Sequence, residues 1–368
     1  MKRRDDHHDY TERRMYMITL EVEGRRPVFG RLVGDAFAPT GSANEPRIEL
    51  SELGKTVQSE WMGIHNYYPQ IDVMAVQMMP DHMHGILFVK AQLPVHLGQV
   101  ISGFKAGCRR AEKTLTAAAK PLPAGNAAQA PCPPAQAPCP PVQAPCPPAQ
   151  APCPPVLSAG TPVSQQAAFS QQAAALPSQR SNQAYQPLFA KGYNDLILRS
   201  YDELPAWQNY LRDNPRRLMM KRARPDLLRP FFDLSIGAQK YSGIGNRSLL
   251  SAQHRMAVRV SRRLNDCEVE AEVSRYLEAA RQGTVLVSPA ISPGEKRVMR
   301  AAFDAGFPTI VLMDNGFTPL SKPHGEQFYA CARGVLLMLS PWEHHNEKKK
   351  ITAEQCRQLN LMALEISE

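Results

Sequence analysis

The sequence predicts an α+β domain, split by a disordered proline-rich insertion and followed by a small α/β domain. Three observations carry that prediction. Apolar strand-like runs alternate with amphipathic helical stretches over residues 15–115. The pentapeptide Ala-Pro-Cys-Pro-Pro then occurs four times at a period of seven, beginning at Ala130, Ala137, Ala144 and Ala151. Beyond Pro230, short apolar runs alternate with helical segments at a spacing suited to a parallel sheet.

Taken in order, residues 15–20 read as a strand that resumes over 27–33. Ser51 caps a helix running to about residue 65, with Glu52 in its first turn and Leu53, Val57, Trp61 and Ile64 on one stripe. The mostly apolar run 73–89 reads as one buried strand. Residues 97–115 read as a helix with Val100, Ile101, Phe104 and Cys108 inward and Lys105, Arg109, Arg110 and Lys113 outward. From 120 to 186, dense proline removes backbone donors and favours polyproline II, and the Gln/Ala/Ser-rich tail has nothing to build a core from. Order returns at 187. Residues 193–199 read as a strand, and Ser200 opens a helix stopped near Pro215, with a second helix or a continuation beyond it. Strands at 284–288, 309–313 and 334–339, with helices at 269–281 and 294–306, argue for a doubly wound second domain. The expected boundaries are therefore 1–119 and 187–232 for the split domain, 120–186 for the insertion and 233–368 for the α/β domain.

The 368 residues carry a formal net charge of +9, and its cations cluster. Arg212, Arg216, Arg217, Lys221, Arg222, Arg224 and Arg229 fall in one short stretch, and five arginines from Arg247 to Arg263 form another. Such a surface meets nucleic acid or an anionic membrane, or is simply a solvated face. No stretch approaches the ~20 apolar residues of a membrane helix, and the first residues are charged rather than signal-like, so a cytoplasmic protein is expected. Four of the eight cysteines lie in the repeat, and Cys108, Cys267, Cys331 and Cys356 stand singly, so all are expected as reduced thiols.

The most informative motif is Met79-Pro80-Asp81-His82-Met83-His84-Gly85. On a strand, His82 and His84 share a face, and two parallel imidazoles are half of a divalent-metal site. The plainer alternative has both rings hydrogen-bonding locally at a strand end. On the later helix, Tyr210 and Asn214 lie one turn apart on one face. Taken alone, Tyr210 reads as a partly buried core tyrosine, and Asn214 before Pro215 reads equally as a helix-ending residue.

Met79–His84 with the apolar strand after it resembles the His-hydrophobe-His signature of the HUH single-tyrosine transposases. Tyr210-Leu211-Arg212-Asp213-Asn214-Pro215 resembles the tyrosine helix of the REP-associated members, and Gly192–Arg199 is similar to the strand preceding it. The resemblance covers roughly residues 10–230, minus the insertion. It implies a ferredoxin-like α+β layer in which His82, His84 and Asn214 hold Mg²⁺ or Mn²⁺ and Tyr210 attacks a scissile phosphate, leaving a 5′-phosphotyrosine. The implied partner is single-stranded DNA beside a hairpin, with monomer and homodimer both left open. Phe104, Lys105, Arg109, Arg110, Arg212, Arg216, Arg217 and Lys221 are where that DNA is expected. Trp207 reads as core or as a base-stacking residue. Two departures stand out: an insertion of more than sixty residues, which adds about 1 kcal/mol or less of loop-closure cost, and charged Arg212 and Asp213 where the family often has bulkier residues. The alternatives are an inactive, domesticated DNA-binding protein and a nucleotide-dependent enzyme of the second domain.

In that second domain, Val285–Lys296 runs strand, loop, helix, and such a helix N-terminus can hold a phosphate. It is neither a Walker loop nor a Gly-x-Gly-x-x-Gly fingerprint. With Tyr241–Asn246 and Val311–Phe317, the segment is similar to the Rossmann-like domains of DNA-processing protein A relatives. His344 and His345 beside Glu343 read as a solvated cluster.

Overall fold

Alternation in sequence builds the first sheet. In β1 (Arg14–Glu21), Tyr16, Ile18 and Leu20 are fully buried on one face while Met15, Met17 and Thr19 point to the other. A computed structural model describes residues 7–118, 186–347 and 349–368, so the expected insertion lies, but for Gln186, outside the described residues. A small hairpin follows, β2 (Gly30–Val33) and β3 (Arg47–Leu50). Ser51 then accepts a hydrogen bond from the Gly54 amide and starts α1 (Glu52–Met62), with α2 (Ile64–Tyr67) after it. The run read as one strand over 73–89 is instead a hairpin: β4 (Ile71–Met78) turns at Met79-Pro80-Asp81 into β5 (His82–Val89). Both strands are largely apolar, so hydropathy does not dip between them, and Pro80 is the break. α3 (Leu97–Ala118) and β6 (Asn194–Leu198) complete an antiparallel sheet of order β4-β5-β1-β6.

That sheet is covered on both faces. Behind it, Val57 and Trp61 of α1 and Leu97, Ile101 and Phe104 of α3 pack on Tyr16, Ile18, Leu20, Met83 and Leu87. In front, Leu204 and Leu211 of α4 (Leu204–Ala223) pack on Met15, Ile86 and Leu198. The helix was expected to stop near Pro215; it runs through it. Pro215 removes one backbone donor at a cost of about 3 kcal/mol, but α4 is anchored on both sides of it, by Leu211 in the first sheet's core and by Met220 in the next.

The second sheet takes β7 (Phe231–Ile236), β8 (Gln239–Gly245), β9 (Arg255–Ala257), β10 (Val285–Ser288), β11 (Thr309–Leu312) and β12 (Leu336–Ser340), in the order β7-β8-β12-β11-β10-β9. β9 to β12 are parallel, with β8 antiparallel to β12. The linking helices are α5 (Asp266–Arg281), α6 (Pro293–Asp304) and α7 (Gly325–Arg333), and α8 (Ala353–Ser367) ends the chain. The parallel strands advance in one direction without reversal, so the expected double winding is absent. α5, α6 and α7 share one face, while α8 buries Leu359, Ala363 and Ile366 on the other against Val287, Leu337 and Leu339. Alternation of strand and helix reveals crossovers but not their direction, which is why the sequence pattern misled. The described residues of 7–115 and 187–368 form one compact unit.

Gly85 tests the first core. A Cβ there would collide with Cζ2 and Cε2 of the fully buried Trp61. Gly85→Ala is expected to lower stability by about 1–3 kcal/mol through overpacking, read as a reduced urea midpoint at unchanged slope. An unaltered midpoint would mean the indole is free to move aside.

Candidate functional site

The antiparallel ladder sets Thr19 opposite His84, Glu21 opposite His82, Gln77 opposite His84 and Asn194 opposite Thr19. Directly opposed residues share a face, so a polar row Gln77–His84–Thr19–Asn194 crosses the sheet on the α4 side. The His82 and His84 rings lie 4.9 Å apart and nearly perpendicular, at 88°. Each is held through Nδ1: His82 at 2.6 Å from Asp81 Oδ1, and His84 at 2.8 Å from Thr19 Oγ1. Among the described residues no side chain engages either Nε2. One nitrogen fixed and the other free is how ligating imidazoles are held. Burial pushes the His84 imidazole down to about 4, helped by His82 and Arg25, so it is neutral at pH 7 with its lone pair available. Asp81 also lies 3.5 Å from Arg25, whose other nitrogen reaches Glu21 at 3.0 Å.

Tyr210 is not a core residue. It is 42% exposed and borders a cavity of about 650 Å³ with Met17, Thr19, Asn194, Leu196, Ala206 and Trp207. Thr19 thus belongs both to the His84 hydrogen bond and to the cavity wall beside the phenol. Asp195 contributes only backbone there, since its register opposite Ile18 turns the side chain to the other face. Trp207, partly buried against the α4-side core, meets the Tyr210 ring edge-on at 5.6 Å. One turn on, Asn214 sits inside the helix rather than at its end, only 9% exposed, and among the described residues its amide nitrogen has no partner. Among the described residues, no three His, Cys, Asp or Glu side chains are arranged to hold a metal ion by themselves. A cation at the imidazole pair would therefore draw its other ligands from a neutral amide, water or a phosphate. An orphaned buried amide, whose nitrogen and oxygen exchange by a half-turn, fits that need.

The expected DNA cations divide. Arg109, Arg110, Arg212 and Lys221 are exposed. Arg109 and Arg110 ride on α3, behind the sheet, and so lie in the opposite layer from the histidines. The others serve the fold, which corrects the expectation. Lys105 donates to the carbonyls of Ala190 and Gly192 at 2.8 and 2.5 Å. Arg216 donates to the Ala36 and Ala38 carbonyls at 3.2 and 2.5 Å, with Glu45 and Asp213 beside it. Arg217 lies against Phe328 of α7. Phe104 is core, edge-on to Trp61. Sequence reasoning missed Thr19 and the role of Asp81; pairing register between strands would have exposed Thr19, but one chain without an alignment does not show it.

In the second sheet, the α6 N-terminus is already filled. The Glu295 carboxylate, 6% exposed, accepts from the Ile291 and Ser292 amides at 3.0 Å each, the place a phosphate would take. His344 bonds the Gly316 carbonyl and Asn346, and His345 the Glu347 carbonyl. Among the described residues no helix is long and apolar enough to cross a membrane.

No family model matches this chain. An uncharacterized protein of Haemophilus influenzae is 25% identical to it over 121 residues, 27% of this chain. The match takes in 61% of that relative's length. Among solved structures, DNA processing protein A from Helicobacter pylori, described for its single-stranded DNA binding mode, is similar at 18% identity and a TM-score of 0.27. That match covers 35% of this chain and 57% of the other.

Two outcomes follow from the geometry. Arg216→Ala is expected to cost about 1–3 kcal/mol of stability by stranding buried carbonyls, against less than about 0.5 for Arg212→Ala, as read by chemical denaturation; equal effects would show that the Arg216 bonds contribute nothing. The second concerns His84. With the folded value at about 4 and the ordinary one at 6.5, the unfolded chain binds a proton that the folded chain refuses. Stability present above pH 6.5 is thus lost as pH falls towards 4, by up to about 3 kcal/mol. His84→Gln is expected to flatten that acid limb in a pH series of urea midpoints, and an unchanged slope would place the titration elsewhere.

Proposed function

We propose that this protein is a transposase-like enzyme that nicks and rejoins single-stranded DNA by tyrosine transesterification, acting in the cytoplasm. The observation that carries the reading is Thr19, hydrogen-bonded to His84 and lining the cavity beside Tyr210, so that an imidazole pair and an exposed phenol share one face of one sheet. The element order β1, α1, β4, β5, α3, β6 and the sheet order β4-β5-β1-β6 support the ferredoxin-like reading.

His82, His84 and Asn214 would hold Mg²⁺ or Mn²⁺, whose chemistry there is Lewis-acid withdrawal of charge from the scissile phosphate. Neutral imidazoles suit that task because they add no negative charge beside the phosphate. Asp81 and Thr19, bonded at each Nδ1, leave each Nε2 for a ligand. Tyr210 Oη attacks phosphorus, its proton leaving to solvent. The bond from phosphorus to O3′ breaks, and the departing oxygen takes up a proton. The resulting 5′-phosphotyrosine keeps the bond energy for rejoining. Arg212, exposed on α4, would add a phosphate contact and salt-dependent affinity.

The full chain, incubated with a panel of single-stranded hairpins and Mn²⁺, is expected to give a denaturation-resistant DNA adduct. Tyr210→Phe should abolish it, and His82→Ala or His84→Ala should reduce it on the order of 100-fold. Retained DNA binding with no adduct from the native protein on any hairpin would favour the inactive DNA-binding alternative.

A further inference from the structure

We infer that Phe328 and Tyr329 of α7 are positioning residues for Tyr210, acting through Arg217; the inference rests on the proposed role of Tyr210 as nucleophile. On α4, Tyr210, Asp213, Asn214 and Arg217 recur at the spacing of one helical face. The Arg217 guanidinium carbon lies 5.8 Å from the Tyr210 ring centre, 4.3 Å from that of Phe328 and 5.8 Å from that of Tyr329. Arg217 Nη1 donates to the Tyr329 hydroxyl at 3.5 Å, and that hydroxyl donates to Asp213 Oδ2. The other Asp213 oxygen is 3.7 Å from Arg216 Nε, and Arg216 is itself tied to the Ala36 and Ala38 carbonyls. Burial and the bond to Asp213 both raise the Tyr329 phenol, so it keeps the proton it donates.

An exposed tyrosine ring on a helix is otherwise free to change rotamer. Here it is flanked by Trp207 three residues before and by Arg217 seven residues after. A lone arginine would be a poor wall, because about 2 kcal/mol of rotamer entropy resists holding its side chain in one place. Phe328 against the guanidinium and the Tyr329 hydroxyl on Nη1 supply that restraint from a helix packed on the second sheet. The second sheet's lobe thus holds the phenol in register with the imidazole pair without touching the reacting atoms, a gain of pre-organisation.

The test places 3-fluorotyrosine at position 210 of the full chain and follows its ¹⁹F resonance beside adduct formation and hairpin affinity. Tyr329→Phe keeps the ring and removes only the hydroxyl; Phe328→Leu removes the aromatic support. Glu326→Gln, on the same helix but paired outward with Arg300, is the control. Both α7 variants are expected to shift or broaden the resonance, and to slow adduct formation about tenfold or more at hairpin affinity within about twofold of native. A native-like resonance in both variants, an adduct rate within about twofold of native, or an equal shift in Glu326→Gln overturns the inference. If the native protein forms no adduct, the resonance alone decides: a shift in the two variants upholds the clasp while the nuclease reading falls.

Discussion

A single helix shared between two cores is the constraint on which the rest of the molecule depends. α4 buries Leu204 and Leu211 on the front of the first sheet and Met220 beside the α7 face of the second. At roughly 1.5–3 kcal/mol for each fully buried side chain, these three anchors outweigh the ~3 kcal/mol that Pro215 costs inside a helix. Without the second anchor, the chain beyond Pro215 would have little reason to continue helical, since residue 214 is disfavoured there by the proline ring. The helix is therefore a product of both sheets, and Tyr210 and Asn214 inherit their places from it.

Charge is used in the same way. A net charge of +9 with a dense basic stretch reads from sequence as a surface made for polyanions. In the folded chain, Lys105, Arg216 and Arg217 are spent on carbonyls, a carboxylate and aromatic rings. Their long side chains bridge loop to helix and helix to helix, which a hydrophobic residue could not do where backbone carbonyls must be satisfied. What is left outward, Arg212 on α4 and Arg109 and Arg110 on α3, divides between the two sides of the first sheet, while the Lys221 ammonium lies 5.8 Å from the Phe328 ring centre. The basic count alone therefore overstates the surface offered to a nucleic acid.

Where structure follows from local pattern, it was legible. The amphipathic stripe of α1 with its Ser51 cap, the α3 helix, the strand before α4 and the strands β10, β11 and β12 lie close to where periodicity places them. Tertiary effects were not legible. The turn at Pro80 hides inside an apolar run, Pro215 is overruled by packing, and β9 and α7 are only three and nine residues long. The facing of His82 and His84 followed from the two-residue repeat of a strand. Their partners did not, because Thr19 is sixty-five residues away from His84 in sequence and meets it only through register.

The two halves of the candidate site are thus held by different means. His82 and His84 stand on a strand hydrogen-bonded on both sides, with Trp61 pressed against the back of Gly85, so their spacing is set by one sheet and one core. Tyr210 stands on a helix whose far end belongs to the other sheet. Strain at the α7 contact would move the phenol while leaving the imidazoles in place, because the ladder between β1 and β5 has no part in that contact. A site divided in this way places its rigid element at the centre of a sheet and its adjustable element on the helix that joins two lobes. The distance between the phenol and the imidazole pair then depends on how firmly those lobes are packed together.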